Sequence, residues 1–302
     1  MLALGVEMVA DVNTTEYSPA TSPFGITEVN GVAYYAGHSP EAGGELWRSD
    51  GTAEGTALVR DIVPGYVSSH RYNFTNVDGT LFFSRRGNTA LELWRSDGTW
   101  AGTQKVRDIL PRTEGSSIRQ IEHTHGTVYL LAYDGDVTTE LWKSDGTAGG
   151  TFEVASSGGG LFAGMGGLTT ANGMAFYTIN RSQLWRSDGS AAGTLQIAEN
   201  LTYDSGRTEV GGLVYFSQYD EEHGDELWQT DGTVEGTQRI DVAPGQLGSK
   251  PRGLTNVGGT LFFSVTQGLN RGLWRSDGTP EGTLQISDAD AGTGGHLPER
   301  LY

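Results

Sequence analysis

The sequence predicts an all-β protein, a β-propeller of four-stranded antiparallel blades, and three observations carry that reading. A motif recurs along the chain, with centres GGELWRSDGTAEGT, ALELWRSDGTWAGT, TTELWKSDGTAGGT, RSQLWRSDGSAAGT, GDELWQTDGTVEGT and NRGLWRSDGTPEGT. Its tryptophans, Trp47, Trp94, Trp142, Trp185, Trp228 and Trp274, stand 47, 48, 43, 43 and 46 residues apart, a period shared by propeller blades and by helical solenoid repeats. Turn dipeptides before aromatic-rich runs, and 46 glycines spread evenly over 302 residues, decide for strands. No segment holds apolar residues at i, i+3, i+4 and i+7 over successive turns, and each of these glycines would cost a helix about 1 kcal/mol.

Each unit reads as strands A to D. Strand A is exemplified by FTNV at Phe74–Val77. A tight turn follows, formed by Asn30-Gly31, Asp78-Gly79, His125-Gly126, Asn172-Gly173, Gly211-Gly212 or Gly258-Gly259. Such pairs supply the positive φ angles of a two-residue hairpin. Strand B carries an aromatic-rich pair: Tyr34-Tyr35, Phe82-Phe83, Tyr129-Leu130, Phe176-Tyr177, Tyr215-Phe216 or Phe262-Phe263. Successive residues of a strand face opposite sides, so each pair is placed to pack on both neighbouring blades. After a loop of variable length comes strand C with its Leu-Trp, then the SDGTxxGT turn. Strand D is the short β-branched stretch beyond it, such as TALVRDI or TLQIAE.

The ends leave a strand over. Residues 6–12 (VEMVADV) read as a strand D with no A, B or C before it, and residues 283–290 (TLQISDAD) as a strand D after Trp274. Either could complete the last blade. The tail GTGGHLPERLY resembles the start of another repeat, GSKPRGLTN at Gly248–Asn256, so a cut from a longer array is one expectation. Residues 1–302 are expected to form one propeller domain of six blades; seven, with one incomplete or shared, is the alternative.

Charge and composition narrow the function classes. With 20 Lys and Arg against 37 Asp and Glu the formal charge is −17, a field that repels phosphate backbones and argues against a nucleic-acid partner. No run of eighteen apolar residues is present, so membrane insertion is not expected, and MLALGVEMVA lacks the basic start of a signal peptide. The absence of cysteine excludes disulfides, thiol catalysis and cysteine-ligated metals.

Glu-Leu-Trp, two residues, Asp-Gly-Thr, two residues, Gly-Thr and then V-x-D-I-x-P-G resembles the ELWxxDGT repeat family of bacterial proteins. The pattern is clearest at Gly43–Gly65 and Gly224–Gly245 and extends over nearly the whole chain. The resemblance implies a secreted or surface-displayed protein and brings no catalytic residues with it. Gln183 and Gly272 depart from the pattern where Glu is expected, Ser190 replaces Thr, and the DIxPG tail is lost after Val154 and Ile197. Altered connections are therefore expected in the third and fourth repeats.

The repeated acids Asp50, Asp97, Asp145, Asp188, Asp231 and Asp277 are read as structural turns. An Asp opening a turn accepts hydrogen bonds from backbone two residues on, and the Gly takes the positive φ that follows. The repeat tryptophans are read as packing between sheets. Trp100 is different. It occupies a turn position held elsewhere by Ala53, Ala148, Ala191, Val234 or Pro280, which makes it a candidate ligand contact.

Acidic B–C loops offer oxygen ligands at Asp134 and Asp136 and at Asp220, Glu222 and Asp225, so calcium is a candidate ion although no cofactor is required. His123 and His125 could face one side of a strand, but a third zinc ligand is not evident. No G-x-S-x-G, H-E-x-x-H or P-loop motif is present. The leading expectation is a non-catalytic binding or scaffold propeller outside the cell, with a glycan or surface polymer as partner, bound multivalently on a repeated rim. One alternative is a polysaccharide-active enzyme using a central funnel, with His70, Arg71, Arg119, Arg181 and Arg252 near the strand A ends. Another is a structural module that self-associates through its surplus edge strand.

Overall fold

The computed structural model describes residues 23–39, 41–64, 73–111, 113–158, 164–201, 206–242, 248–266 and 271–288. Regular structure among these residues is β throughout, arranged as six four-stranded antiparallel sheets, the blades of a β-propeller.

The first blade is β1 (Phe24–Val29), β2 (Val32–Ser39), β3 (Gly43–Ser49) and β4 (Ala57–Arg60). The second is β5 (Thr75–Val77), β6 (Thr80–Arg86), β7 (Ala90–Ser96) and β8 (Gln104–Pro111). β9 (Ser117–Thr124), β10 (Thr127–Tyr133), β11 (Thr139–Ser144) and β12 (Phe152–Ser156) make the third. The fourth comprises β13 (Met165–Ala171), β14 (Met174–Ile179), β15 (Gln183–Ser187) and β16 (Leu195–Ala198). In the fifth are β17 (Arg207–Val210), β18 (Leu213–Asp220), β19 (Gly224–Thr230) and β20 (Gln238–Ile240). The sixth holds β21 (Pro251–Val257), β22 (Thr260–Val265), β23 (Gly272–Ser276) and β24 (Leu284–Asp288). Each sheet keeps chain order from edge to edge, a simple meander.

The predicted A–B turns form as expected. Asn30 and Gly31 take φ of 52° and 80°, Asp78 and Gly79 48° and 84°, and the other four pairs are positive at both residues as well. Two positive φ angles match the twist of the flanking strands. At the C-terminal end, β24 pairs with β23, so the segment after Trp274 is the one that completes the last blade. The strand expected at 6–12 and the tail from 292 lie outside the described residues.

Contacts divide the chain into two compact units, Met1–Asp136 with Trp142–Glu153, and Val137–Leu141 with Val154–Tyr302. In the first unit Tyr34, Phe82, Leu93, Val128 and Leu130 are buried among Val29, Val77 and Ile121. In the second, Phe176 and Phe216 are buried in one cluster and Tyr215 and Phe263 in another. Both members of the strand B pairs are buried, except that Phe262 is half-exposed, which is the two-sided packing the pattern predicts. Burying such a side chain stabilises by about 1.5–3 kcal/mol.

The repeat tryptophans stand opposite the second member of that pair: Tyr35 faces Trp47, Phe83 faces Trp94 and Phe263 faces Trp274 across adjacent strands. Phe83 and Trp94 stack with centroids 6.2 Å apart, Phe263 and Trp274 with centroids 6.4 Å apart. Trp94, Trp142 and Trp274 are buried and Trp47, Trp185 and Trp228 half-buried, in keeping with the packing role read from the sequence.

Candidate functional site

The repeated aspartates are spent on the fold. In the first turn Asp50 Oδ1 accepts both the amide (2.9 Å) and the hydroxyl (2.7 Å) of Thr52, whose Oγ1 accepts in turn from the Gly55 amide at 3.0 Å. Thr56 Oγ1 donates to the Thr52 carbonyl at 2.7 Å and lies 2.7 Å from Ser49 Oγ. The same pattern recurs at Asp97, Asp145 and Asp277, at Asp231 with Thr230 in place of Ser, and at Asp188 with Ser190 in place of Thr. The threonine hydroxyl and amide hold the Asp50, Asp97, Asp145 and Asp277 carboxyls below their ordinary range; at Asp231 the Thr233 amide leads. One oxygen of each of these carboxylates, Oδ1, is thus engaged within its own turn.

Trp100 is 65% exposed at the tip of its turn. One face of its indole carries the Arg60 guanidinium, 4.3 Å from the ring centroid, and Arg60 also donates to the carbonyls of Trp100 and Thr103. The ring is thus held in place with much of its surface open.

The acidic loops close on themselves. Asp134 Oδ1 accepts the Asp136 amide at 2.9 Å, and the Tyr133 hydroxyl donates to the Asp136 carbonyl at 2.5 Å. Asp220 Oδ1 accepts the amides of Glu222 (2.9 Å) and His223 (2.7 Å) and lies 2.9 Å from His223 Nδ1. Asp225 takes the Ser249 and Lys250 amides on its carbonyl, both at 2.9 Å. Asp134 and Asp136 belong to the first unit, the other three to the second. Among the described residues no three His, Asp or Glu side chains are placed to hold a metal ion. His125 sits at the β9–β10 turn with φ 47°, beyond the strand that carries His123.

Of the cationic candidates, His70 and Arg71 lie outside the described residues. Arg181, at φ 61°, follows Asn180, whose amide donates to the Gly164 carbonyl beside the start of β13; Arg252 is in β21, also in the second unit. Arg119 lines a concave site. An open groove of about 330 Å³ crosses β1, β5 and β9 of the first unit, lined by Gly25, Ile26, Thr27, Asn73, Phe74, Thr75, Arg119, Gln120, Ile121 and Glu122.

The groove floor is cross-bonded. Asn73 Nδ2 donates to the Ile118 carbonyl at 2.6 Å, Thr75 Oγ1 to that of Ile121 at 3.2 Å, and Thr27 Oγ1 to that of Phe74 at 3.5 Å. Arg119 lays its guanidinium over the Tyr133 ring, 3.9 Å from the centroid. Burial pushes the Glu122 carboxyl up from its ordinary value. The site therefore presents a guanidinium plane, the Gln120 amide and a carboxyl on strands that are tied together, the rigid mounting a binding site needs.

A residue type the sequence singled out only as a motif letter also has a task. Glu45 is fully buried and accepts the amides of Ile62 (3.1 Å) and Val63 (3.0 Å) on its two oxygens. Glu226, its counterpart in the fifth blade, accepts from the Val242 amide (3.2 Å) and the Ser249 hydroxyl (2.8 Å). This glutamate anchors the DIxPG tail to strand C. Burial pushes the Glu45 carboxyl up to about 7, against the pull of the two amides.

No family model matches the chain, and no curated protein sequence does. Among solved structures it is similar to the computationally designed Ika8 protein, at 11% identity and a TM-score of 0.52, covering 95% of this chain and 78% of that one. Puromycin hydrolase follows at 14% identity and TM-score 0.46, over 89% of this chain and 49% of that one. BamB from Moraxella catarrhalis is similar at 14% identity and TM-score 0.43, over 80% and 66%. Likeness at such identity concerns the fold alone.

Proposed function

We propose that this protein is a non-catalytic binding propeller whose ligand is a glycan or a similar hydroxyl-rich surface polymer, taken up in the groove across β1, β5 and β9. The observation that carries this reading is the groove itself: Arg119 flattened on Tyr133, Gln120 and Glu122 side by side on a cross-bonded floor. Fixed planar polar groups suit ring hydroxyls, and a volume near 330 Å³ is at the lower end of the ~300–1,000 Å³ of small-ligand pockets. Glycosidic cleavage in its usual form takes two carboxyl groups. The described groove lining includes one, Glu122, which favours holding over cutting.

The extracellular or surface setting rests on the resemblance of the repeat to the ELWxxDGT proteins. Trp100 is a second contact candidate. Because the repeated Asp and Trp side chains are committed to the fold, the reading places affinity in the groove and not in six equal rim pockets.

A glycan array probed with the purified chain in calcium-containing buffer tests this. The expected result is binding to a related set of sugars, weakened at least tenfold by Arg119→Ala or Gln120→Ala. A blank array, or binding indifferent to both substitutions, would overturn it.

A further inference from the structure

A second cavity, of about 110 Å³, lies in the first unit between the end of β6 and the start of β9. Arg85 and Arg86 line it together with Ser84, Ser116 and Ser117, and Leu91 and Ile118 form an apolar wall. Each arginine carries a buried Nε–H without a hydrogen-bond partner. Their other contacts are defined: Arg85 Nη1 to Glu92 Oε2 at 2.8 Å, and Arg86 Nη2 to the Thr113 carbonyl at 3.0 Å.

Glu92 neutralises Arg85, whereas Arg86 has no ion pair among the described residues. The Glu92 carboxylate also accepts the Trp94 indole N–H at 2.9 Å and lies 3.7 Å from Lys105, which in turn pairs with Asp108. Around the cavity stand three cations, Arg85, Arg86 and Lys105, and three carboxylates, Glu92, Asp108 and the exposed Glu114. The Ser84 hydroxyl accepts the Asn73 amide at 3.2 Å and retains a proton to donate. Arg85 is only 8% exposed, so its guanidinium is buried beside the cavity.

We propose that this cavity is an anion subsite that takes one carboxylate or sulfate group of a ligand on the guanidinium groups of Arg85 and Arg86. The planar fork of Arg matches the geometry of such oxyanions. The volume admits a single oxyanion group, free or carried by a larger ligand, and not a whole drug-sized molecule. The inference goes beyond the groove reading and does not depend on it.

The test is a titration of the full chain with sodium glucuronate, and separately with sodium sulfate, at constant ionic strength, following the arginine Nε–H signals by NMR. Saturable shifts of the Arg85 and Arg86 signals with at least one anion, and none with neutral glucose, are expected. Arg86→Gln weakens the effect at least tenfold. Arg85→Gln strands Glu92 and endangers folding, so Ser117→Leu, which fills the cavity and keeps both arginines, is the second variant and abolishes binding. Saturation by glucuronate alone or by sulfate alone selects the oxyanion. Arg119→Ala leaves this titration unchanged, so the two readings fail separately. No saturation by either anion, or binding that survives Ser117→Leu, would overturn the proposal.

Discussion

Arg48 of the first blade donates from Nη1 to the carbonyl oxygen of Gly98 in the second, at 3.1 Å. The same glycine receives the Tyr34 side chain, so close that a methyl group on Gly98 would stand 2.2 Å from the Tyr34 hydroxyl oxygen. Gly146 against Phe82, Gly232 against Met174 and Phe176, and Gly278 against Tyr215 repeat the contact. The Asp-Gly turn is therefore a latch between consecutive blades as well as a hairpin.

Gly98→Ala should be among the most damaging single-methyl changes. Its φ of +85° disfavours any side chain, and the added carbon meets Tyr34. Left-handed backbone costs about 1–2 kcal/mol and overpacking about 1–3, so a loss of about 2–5 kcal/mol is expected in urea unfolding. Gly149→Ala is the control, since nothing lies within 4 Å of its new methyl group. There a gain of about 0.4–1 kcal/mol is expected from reduced freedom of the unfolded chain.

The fold was legible because its signals are local. Asn30-Gly31 dictates its turn through backbone sterics, and the Asp50 turn closes over a separation of seven, from Ser49 to Thr56. Alternating strand positions placed Tyr34-Tyr35 and Phe82-Phe83 inside. The role of Glu45 was not read. Its partners Ile62 and Val63 lie 17 and 18 residues on, and their amides leave no mark in composition. The sequence clue is partial: the repeats with Gln183 and Gly272 in that place lack the DIxPG tail, but so does the repeat with Glu140. The groove and the arginine cavity were less legible still. Asn73 and Ile118 meet across 45 residues, and Arg85 and Ser116 line one cavity, through register that only the folded sheets define.

Stability should depend on pH through Glu45 in a definite direction. Its folded value, about 7, lies above the ordinary 4.5, so the folded state binds the proton more tightly. Its contribution is fully present below pH 4.5 and is lost as pH rises through 7, by up to about 3 kcal/mol at 1.36 per unit. Urea unfolding of the wild type and of Glu45→Gln at pH 5 and pH 8 checks this. The variant is expected to lose that difference while being less stable than wild type at pH 5, because its amide N–H groups face a backbone donor.

The turn aspartates act in the opposite sense. Asp97 and Asp231 have folded values below 3.8, so their contribution is present above that pH and is lost as pH falls through the folded values. Acid unfolding below pH 3.8 should therefore begin earlier in the absence of one clamp, as in Asp97→Ala, with the midpoint followed by circular dichroism.

Arg60 and Trp100 should be coupled weakly. An exposed guanidinium over an indole is worth about 0.5–1 kcal/mol, so a double-mutant cycle of Arg60→Ala and Trp100→Ala is expected to return a coupling of that size. Trp100→Ala alone should change stability little, since the ring is 65% exposed. A coupling near zero would mean that the stacked geometry is not held in solution.

The repeated Asp and Trp positions build the fold, and the groove across β1, β5 and β9 is the proposed binding site. Hydrogen exchange of the full chain with and without the strongest array ligand tests it most directly. New protection is expected at Asn73–Thr75 and Arg119–Glu122, with the turns at Asp50, Asp97, Asp145, Asp188, Asp231 and Asp277 unchanged. Protection spread over those turns, with none in the groove, would contradict this assignment.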